Sequence, residues 1–262
     1  MSELLVRARG ICVGRYRAFV RWLGAFFMRR RGFKVIHFLH IGKTGGTALG
    51  RVFHGNQRVG NSWLVLHEHS TTVRRLPKSD QFTFVLRDPV DRFVSAFYSR
   101  YRQGKPAYFI PWTEAEASAF ASFPDANSLA EALSNPEPEC RENARAAMHA
   151  IGHVRTHYRD WLGSVENLSE LSHRIPLAGW QPDLDSYLCC LVDTLGGDPG
   201  QYRFPNNAAQ SHKGGHGGRA ELSDLAVENL LEWYGDDVRW VEAVRRLDLF
   251  ASNKALVNNH DN

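Results

Sequence analysis

Two apolar runs, each closed by a polar loop and followed by helical spacing, organise the first hundred residues. The first is Val35-Ile36-His37-Phe38-Leu39-His40-Ile41, bounded by Gly32 and Gly42. A nearly continuous apolar run rich in strand formers predicts a strand buried on both faces. Gly42-Lys43-Thr44-Gly45-Gly46-Thr47 follows, then a short helical stretch from Ala48 to about His54. The second run is Phe82-Thr83-Phe84-Val85-Leu86, followed by Arg87-Asp88-Pro89 and a helix from about Val90 to Arg102. Pro89 suits a helix start, where its missing N–H costs nothing. Strand, loop and helix, repeated, predict an α/β fold: a P-loop-like, three-layer arrangement with a central parallel sheet flanked by helices.

The remaining pattern is mostly helical. Ser128–Leu133 and Arg141–Leu162 read as helices, Ile175–Trp180 as a late strand, and Asp183–Leu195 as a helix by the spacing of Leu184, Tyr187, Leu188, Leu191, Val192 and Leu195. Ser223 opens another helix, with Asp224 in its first turn. Residues 103–127 hold three prolines and several aromatics and predict a loop-rich insertion. Residues 205–219 hold four glycines and few apolar groups, which predicts a surface loop and a candidate ligand lid.

Composition adds bounds. The 262 residues are 43% hydrophobic and 23% charged, enough for a sizeable core, which excludes general disorder. The four cysteines, Cys12, Cys140, Cys189 and Cys190, form no CxxC pair and read as reduced thiols buried for packing in a cytoplasmic protein. Charge is more informative by position than in sum. Residues 1–32 hold eight arginines and one acid, a charge of +7, so the rest of the chain carries −3 of the overall +4. A basic N-terminal segment, 1–32, is therefore set apart from a mildly acidic domain, 33–262. The longest uncharged run in that segment, Trp22 to Met28, is far short of a membrane span. Arg7, Arg15, Arg17, Arg21 and Arg29 fall on one half of a helical wheel, with Leu23, Phe26 and Phe27 as apolar anchors. The expectation is a helix on an anionic membrane surface, the alternatives being a solvated helix or one packed on the body. Nucleic acid is not expected as a partner of an acidic body.

The segment His40-Ile41-Gly42-Lys43-Thr44-Gly45-Gly46-Thr47, between strand and helix, is suited to an anion. Glycines let backbone N–H groups face the ligand, the helix N-terminus adds partial positive charge, Lys43 adds a full one, and Thr44 and Thr47 add hydroxyls. It is not a nucleoside triphosphatase loop: GxxxxGK[ST] needs a glycine where His37 stands. The second motif, Arg87-Asp88-Pro89-Val90-Asp91-Arg92-Phe93-Val94-Ser95-Ala96-Phe97-Tyr98, brings Arg87 off a strand end, where a bend at Pro89 would direct it and Ser95 to one phosphate. Asp88 and Arg92, four apart, read as a local ion pair. Between the motifs lies Leu66-His67-Glu68-His69-Ser70. Transfer to an alcohol needs a base at the hydroxyl, and histidine serves near neutral pH. No third ligand accompanies His67-x-His69, so no metal site is expected.

These residues resemble the sulfotransferases that use 3′-phosphoadenosine 5′-phosphosulfate (PAPS), in particular the carbohydrate branch with the heparan and chondroitin enzymes. The likeness rests on KTGGT at 43–47 and RDPVDRFVSAFY at 87–98. Gly42 stands where that family usually has proline and Ala48 where serine is common. The resemblance implies that Lys43, Thr44, Gly45, Gly46 and Thr47 bind the 5′-phosphosulfate. It implies that Arg87 and Ser95 bind the 3′-phosphate, that His69 is the base with His67 as orienter or substitute, and that Lys43 stabilises the departing oxygen. It likens 211–219 to a lid in which Lys213 and Arg219 reach the 3′-phosphate, and Tyr234 and Asp237 to a structural Y-x-x-D pattern. The expected activity is sulfuryl transfer to a hydroxyl of a carbohydrate or glycolipid. The rival readings are a P-loop phosphotransferase and an inactive, membrane-associated nucleotide-binding protein.

Overall fold

The computed structural model describes residues 19–106, 108–205 and 218–251. Strand β1 (Lys34–Leu39) buries every residue except Lys34, and that two-sided burial places it inside the sheet. It pairs in parallel with β3 (Ser62–Leu66) on one side and β4 (Gln81–Leu86) on the other. The short β2 (Gln57–Val59) joins β3 antiparallel, and β5 (Gly179–Trp180) joins β4 in parallel, giving the order β2-β3-β1-β4-β5. Phe38 lies opposite Leu66, and Leu39 opposite Phe84. The carboxyl ends of β3, β1 and β4 are thus level, and the chain leaves β1 toward opposite neighbours. That is the switch point at which open parallel sheets bind ligands.

The helices are α1 (residues 19–30), α2 (Gly46–Phe53), α3 (Pro89–Tyr101), α4 (Glu114–Ser122), α5 (Ala126–Ala132), α6 (Pro138–Ala150), α7 (Tyr158–Leu162), α8 (Leu168–Leu171), α9 (Leu184–Thr194), α10 (Asp224–Trp233) and α11 (Gly235–Arg246). One sheet face packs Ile36, Phe38 and Val85 against Leu49 and Phe53 of α2 and Tyr187 and Leu191 of α9. The other packs Leu39, Phe82 and Phe84 against Trp161 of α7 and Trp240 and Val244 of α11. This is the expected three-layer sandwich. A third core, from Phe93 and Phe97 of α3 to Met148 of α6 and Leu230 of α10, draws on helices and their ends and on no strand. No helix among the described residues is long and apolar enough to cross a membrane.

Several expectations are corrected. The helix expected over Arg141–Leu162 is two, α6 and α7. Gly152 gives its N–H to Glu116, and His153 takes a left-handed φ of 66°, which ends the first helix. The 103–127 insertion contains α4, because Thr113 and Glu116 form a reciprocal capping box ahead of an alanine-rich stretch. The late strand is only Gly179–Trp180. The β2–β3 hairpin, turning at Gly60-Asn61 with Gly60 at φ 55°, was not expected. Cys140 and Cys189 are exposed and Cys190 half-buried, so none is a fully buried packing thiol; Cys12 lies outside the described residues.

Candidate active site

The turn after β1 is held from within. Thr44 is fully buried, and its hydroxyl donates to the Ile41 carbonyl at 3.0 Å. Its hydroxyl therefore closes the turn instead of facing outward, a correction to its expected role as a ligand donor. Lys43 and Gly45 both adopt positive φ, 69° and 98°. A side chain at Gly45 would also press on Leu184, whose Cδ1 lies 2.7 Å from where a Cβ would sit. Helix α2 then starts at Gly46, and the N–H groups of Ala48 and Leu49 both reach back to the Gly45 carbonyl. The N–H groups of Gly46 and Thr47 stand ahead of that first acceptor, where helices bind anions. Gly46 has a second reason to be glycine: any Cβ there would overlap the His40 imidazole.

Level with this turn, β4 delivers Arg87. Tyr158 clamps its backbone from both sides, accepting from Arg87 N at 3.0 Å and donating to Arg87 O at 2.6 Å. Tyr158 is placed in turn by Asp237, which accepts its N–H at 2.8 Å. The expected Asp88–Arg92 ion pair is not formed. Asp88 caps α3 by accepting from Val90 N and Asp91 N, while buried Arg92 donates to Asp237 at 2.9 Å. Capping uses the Asp88 oxygen that faces the helix, and Arg92, one turn on, points into the core. Tyr234, also fully buried, donates to the Val154 carbonyl. Tyr234 and Asp237 are therefore structural in position. Ser95 is half-buried further along α3. Arg219 docks on the same helix, giving its N–H to Asp91 at 2.9 Å with its guanidinium 3.9 Å from Asp88. Lys213 lies outside the described residues.

Positive charge converges on the turn. Burial, and then the nearby Arg87 and Arg102, push the Lys43 ammonium down to about 8. Arg87 Nε and Arg102 Nη1 are buried without a hydrogen-bond partner among the described residues. Unpaired buried guanidinium N–H groups beside a lysine are costly unless an anion meets them.

The His67 and His69 rings diverge because the chain leaves β3 at Leu66 and turns, with Thr71 N–H donating to the Glu68 carbonyl, so the two do not keep the common face that residues two apart share in a strand. His67 turns inward, its Nε2 2.8 Å from His37 Nδ1, and His37 Nε2 lies 2.9 Å from Asp80. It sits in a buried relay with His37 and Asp80 while His69 packs on His40, so orienting His69 directly is not what its position provides. His69 turns to the Lys43 side. Its ring packs on His40 at 3.8 Å between centroids and meets His153 at 5.7 Å. Trp161, packed beside Gly42, donates to the His69 carbonyl. His69 Nδ1 lies 3.1 Å from the His40 carbonyl oxygen. A carbonyl only accepts, so Nδ1 carries the hydrogen and Nε2 keeps its lone pair. Burial, with a contribution from Lys43, lowers the His69 pKa; the His40 carbonyl and Glu68 partly oppose this. The imidazole is thereby neutral at physiological pH. Burial likewise lowers His40 to about 3 and His153 to about 4, with Lys43 and the neighbouring histidines adding to it.

A sulfotransferase family model matches residues 26–177, more than half of the chain. The chain belongs to the sulfotransferase family. No curated protein and no solved structure matches it. In this sulfotransferase the matched stretch carries Lys43, His69, Arg87 and Ser95, while Asp237, which sets Tyr158 and hence Arg87, lies outside it. Three residues of the site were not anticipated: His40, His153 and Arg102. His40 was legible as the first residue of the turn motif. His153 and Arg102 carry no local signal, since they arrive from the loop after α6 and the end of α3.

Proposed function

We propose that this sulfotransferase uses PAPS as donor and a carbohydrate hydroxyl as acceptor. The observation that carries the reading is the convergence of Lys43, Arg87 and Arg102, with partnerless buried N–H groups, on a turn at the sheet's switch point. A donor that carries a phosphosulfate and a second phosphate on one ribose brings enough negative charge to meet all three cations. The residues fit it: Lys43 with the N–H groups of Gly46 and Thr47 at one end, Arg87 at the other, and Ser95 further along α3. The donor supplies an activated sulfuryl group; the chain supplies charge and a base. His69 Nε2 takes the acceptor's proton as the new O–S bond forms and the bond from sulfur to the 5′-phosphate oxygen breaks. Lys43 meets charge that grows on that oxygen mainly in the transition state, the kind of contact that accelerates a reaction. The carbohydrate acceptor is supported by the resemblance of KTGGT at 43–47 and RDPVDRFVSAFY at 87–98 to the carbohydrate branch.

The test is calorimetric titration with adenosine 3′,5′-diphosphate, with Mg-ATP in parallel. Binding of the diphosphate that Arg87→Ala weakens at least tenfold, together with PAPS-dependent sulfation of a polysaccharide panel lost in His69→Ala, is the expected result. Preference for Mg-ATP would replace this reading with phosphotransfer. Diphosphate binding with no transfer to any acceptor would leave the inactive binding protein.

A further inference from the structure

Helix α1 is amphipathic the wrong way round for a surface helix. Its inner face carries charge: Arg21 pairs with Glu68 at 3.2 Å, and Arg29 with buried Asp80. Ala25 alone is buried among its apolar residues, against Val35 and Val65. Its outer face is apolar. Phe19, Trp22 and Phe27 each leave more than half of their surface exposed, and Val20 nearly half. Phe19, Trp22 and Phe26 stack in a ladder along this face, with centroids 6.4 and 5.8 Å apart. The sequence-based wheel separated an arginine half from an apolar one; the pairs of Arg21 and Arg29 turn the arginine half to the body. A surface helix normally shows water its charges and the body its apolar stripe; four contiguous large apolar groups left outward mark an interaction surface.

The surrounding charge selects the partner. Arg30 and Arg31, at the helix end, are exposed and meet no carboxylate among the described residues, and Arg30 lies over the Phe26 ring. Within residues 1–32 there is only one acid. A second copy of this chain would bring two such arginine clusters together and repel. An anionic bilayer offers apolar depth to the aromatic ladder and headgroup charge to the arginines. Arg21 and Arg29–Arg31 limit the uncharged run to Trp22–Met28, too short to cross a bilayer, so this stretch lies in the interface. We propose that α1 docks this protein on an anionic membrane surface through Phe19, Val20, Trp22 and Phe27, with Arg30 and Arg31 on the headgroups. The inner face then ties that surface to the site, because Glu68 stands between His67 and His69, and Asp80 ends the His67–His37 relay. The inference is independent of the identity of donor and acceptor.

The test is co-sedimentation of the full chain with vesicles of phosphatidylcholine alone and of phosphatidylcholine with phosphatidylglycerol at about 3:1. Binding to the mixed vesicles at least tenfold tighter than to the neutral ones, weakened by salt, is expected. Phe19→Ser/Trp22→Ser/Phe27→Ser should lose at least tenfold of it, and Arg30→Glu/Arg31→Glu should lose the anionic preference. Unchanged thermal midpoints show that both variants remain folded. Equal partition on both vesicles, undiminished binding of the triple variant, or a concentration-dependent dimer that the triple variant abolishes and vesicles do not dissociate would each overturn the proposal.

Discussion

Raising the pH should dissociate the nucleotide product through Lys43. Burial and the two arginines bring this ammonium from 10.5 to about 8. That gap corresponds to roughly 3 kcal/mol held against the charged form, at about 1.36 kcal/mol per pH unit. An anion between Lys43 and the arginines offsets both the burial and the repulsion and returns the pKa toward its ordinary value. Below about pH 8 adenosine 3′,5′-diphosphate should therefore bind without proton exchange. Above it, binding should take up one proton, and the dissociation constant should rise about tenfold per pH unit at first, reaching roughly 150-fold by pH 10.5. Titration calorimetry in two buffers of different ionisation enthalpy reads both the constant and the proton count. Lys43→Met should bind more weakly at neutral pH and show a flat profile with no uptake. A flat wild-type profile, or the same slope in Lys43→Met, would refute the reasoning. Stability cannot mimic the effect. The folded pKa lies below the unfolded one, so between about 8 and 10.5 the unfolded chain holds the extra proton, and this group's contribution to stability rises with pH.

The buried Arg92–Asp237 pair should dominate local stability. Asp237→Ala strands a buried guanidinium and the Tyr158 N–H; a loss of about 3–5 kcal/mol is expected, or a midpoint lowered by roughly 6–20 °C. Arg92→Met/Asp237→Leu should recover most of it in the same melts, and a single-variant loss under about 1 kcal/mol would sink the argument. Gly46→Ala should cut turnover at least tenfold by driving His40 off the His69 ring. Gly50→Ala, with nothing near its Cβ in the same helix, should leave activity intact and add about 0.5–1 kcal/mol of stability; equal effects of the two substitutions on turnover would remove His40 from the account.

What the chain disclosed by itself was whatever physics keeps local. Both strand–loop–helix units were visible because a two-sided buried strand writes a continuous apolar run and Pro89 marks a helix start. The Val59-Gly60-Asn61-Ser62 turn carried a hairpin signal, but its flanking strands of three and five residues leave too little alternation to stand out. The interior of the site was less visible. Arg92 looked paired with Asp88 because four residues span one helical turn, whereas its partner lies 145 positions away. His153 fell inside an apparent helix, since one left-handed residue after Gly152 leaves little trace in an otherwise helical spacing. The direction of α1 was also hidden: a helical wheel shows two faces but not which one the body takes, and buried Asp80 decided it.

The imidazole and the cations belong to one electrostatic device. Lys43 contributes to lowering His69, His40 and His153, and is itself lowered by Arg87 and Arg102. Burial lowers His69 most, and the field that attracts an anion adds to it, so the free imidazole is a weak base. Binding of a polyanion cancels much of that field, so the His69 pKa should rise only when the donor side is filled, and Nε2 should become basic when there is a sulfuryl group to transfer. The hydrogen bond from Nδ1 to the His40 carbonyl persists through this change, so the basic nitrogen is already the correct one. Histidine titration by NMR, with and without adenosine 3′,5′-diphosphate, measures the effect: the His69 resonance should titrate below 6.5 in the free protein and at higher pH in the complex. Lys43→Met should raise the free value and shrink the difference. A His69 pKa that does not move on binding would separate donor binding from base activation and leave the histidine stack as packing alone.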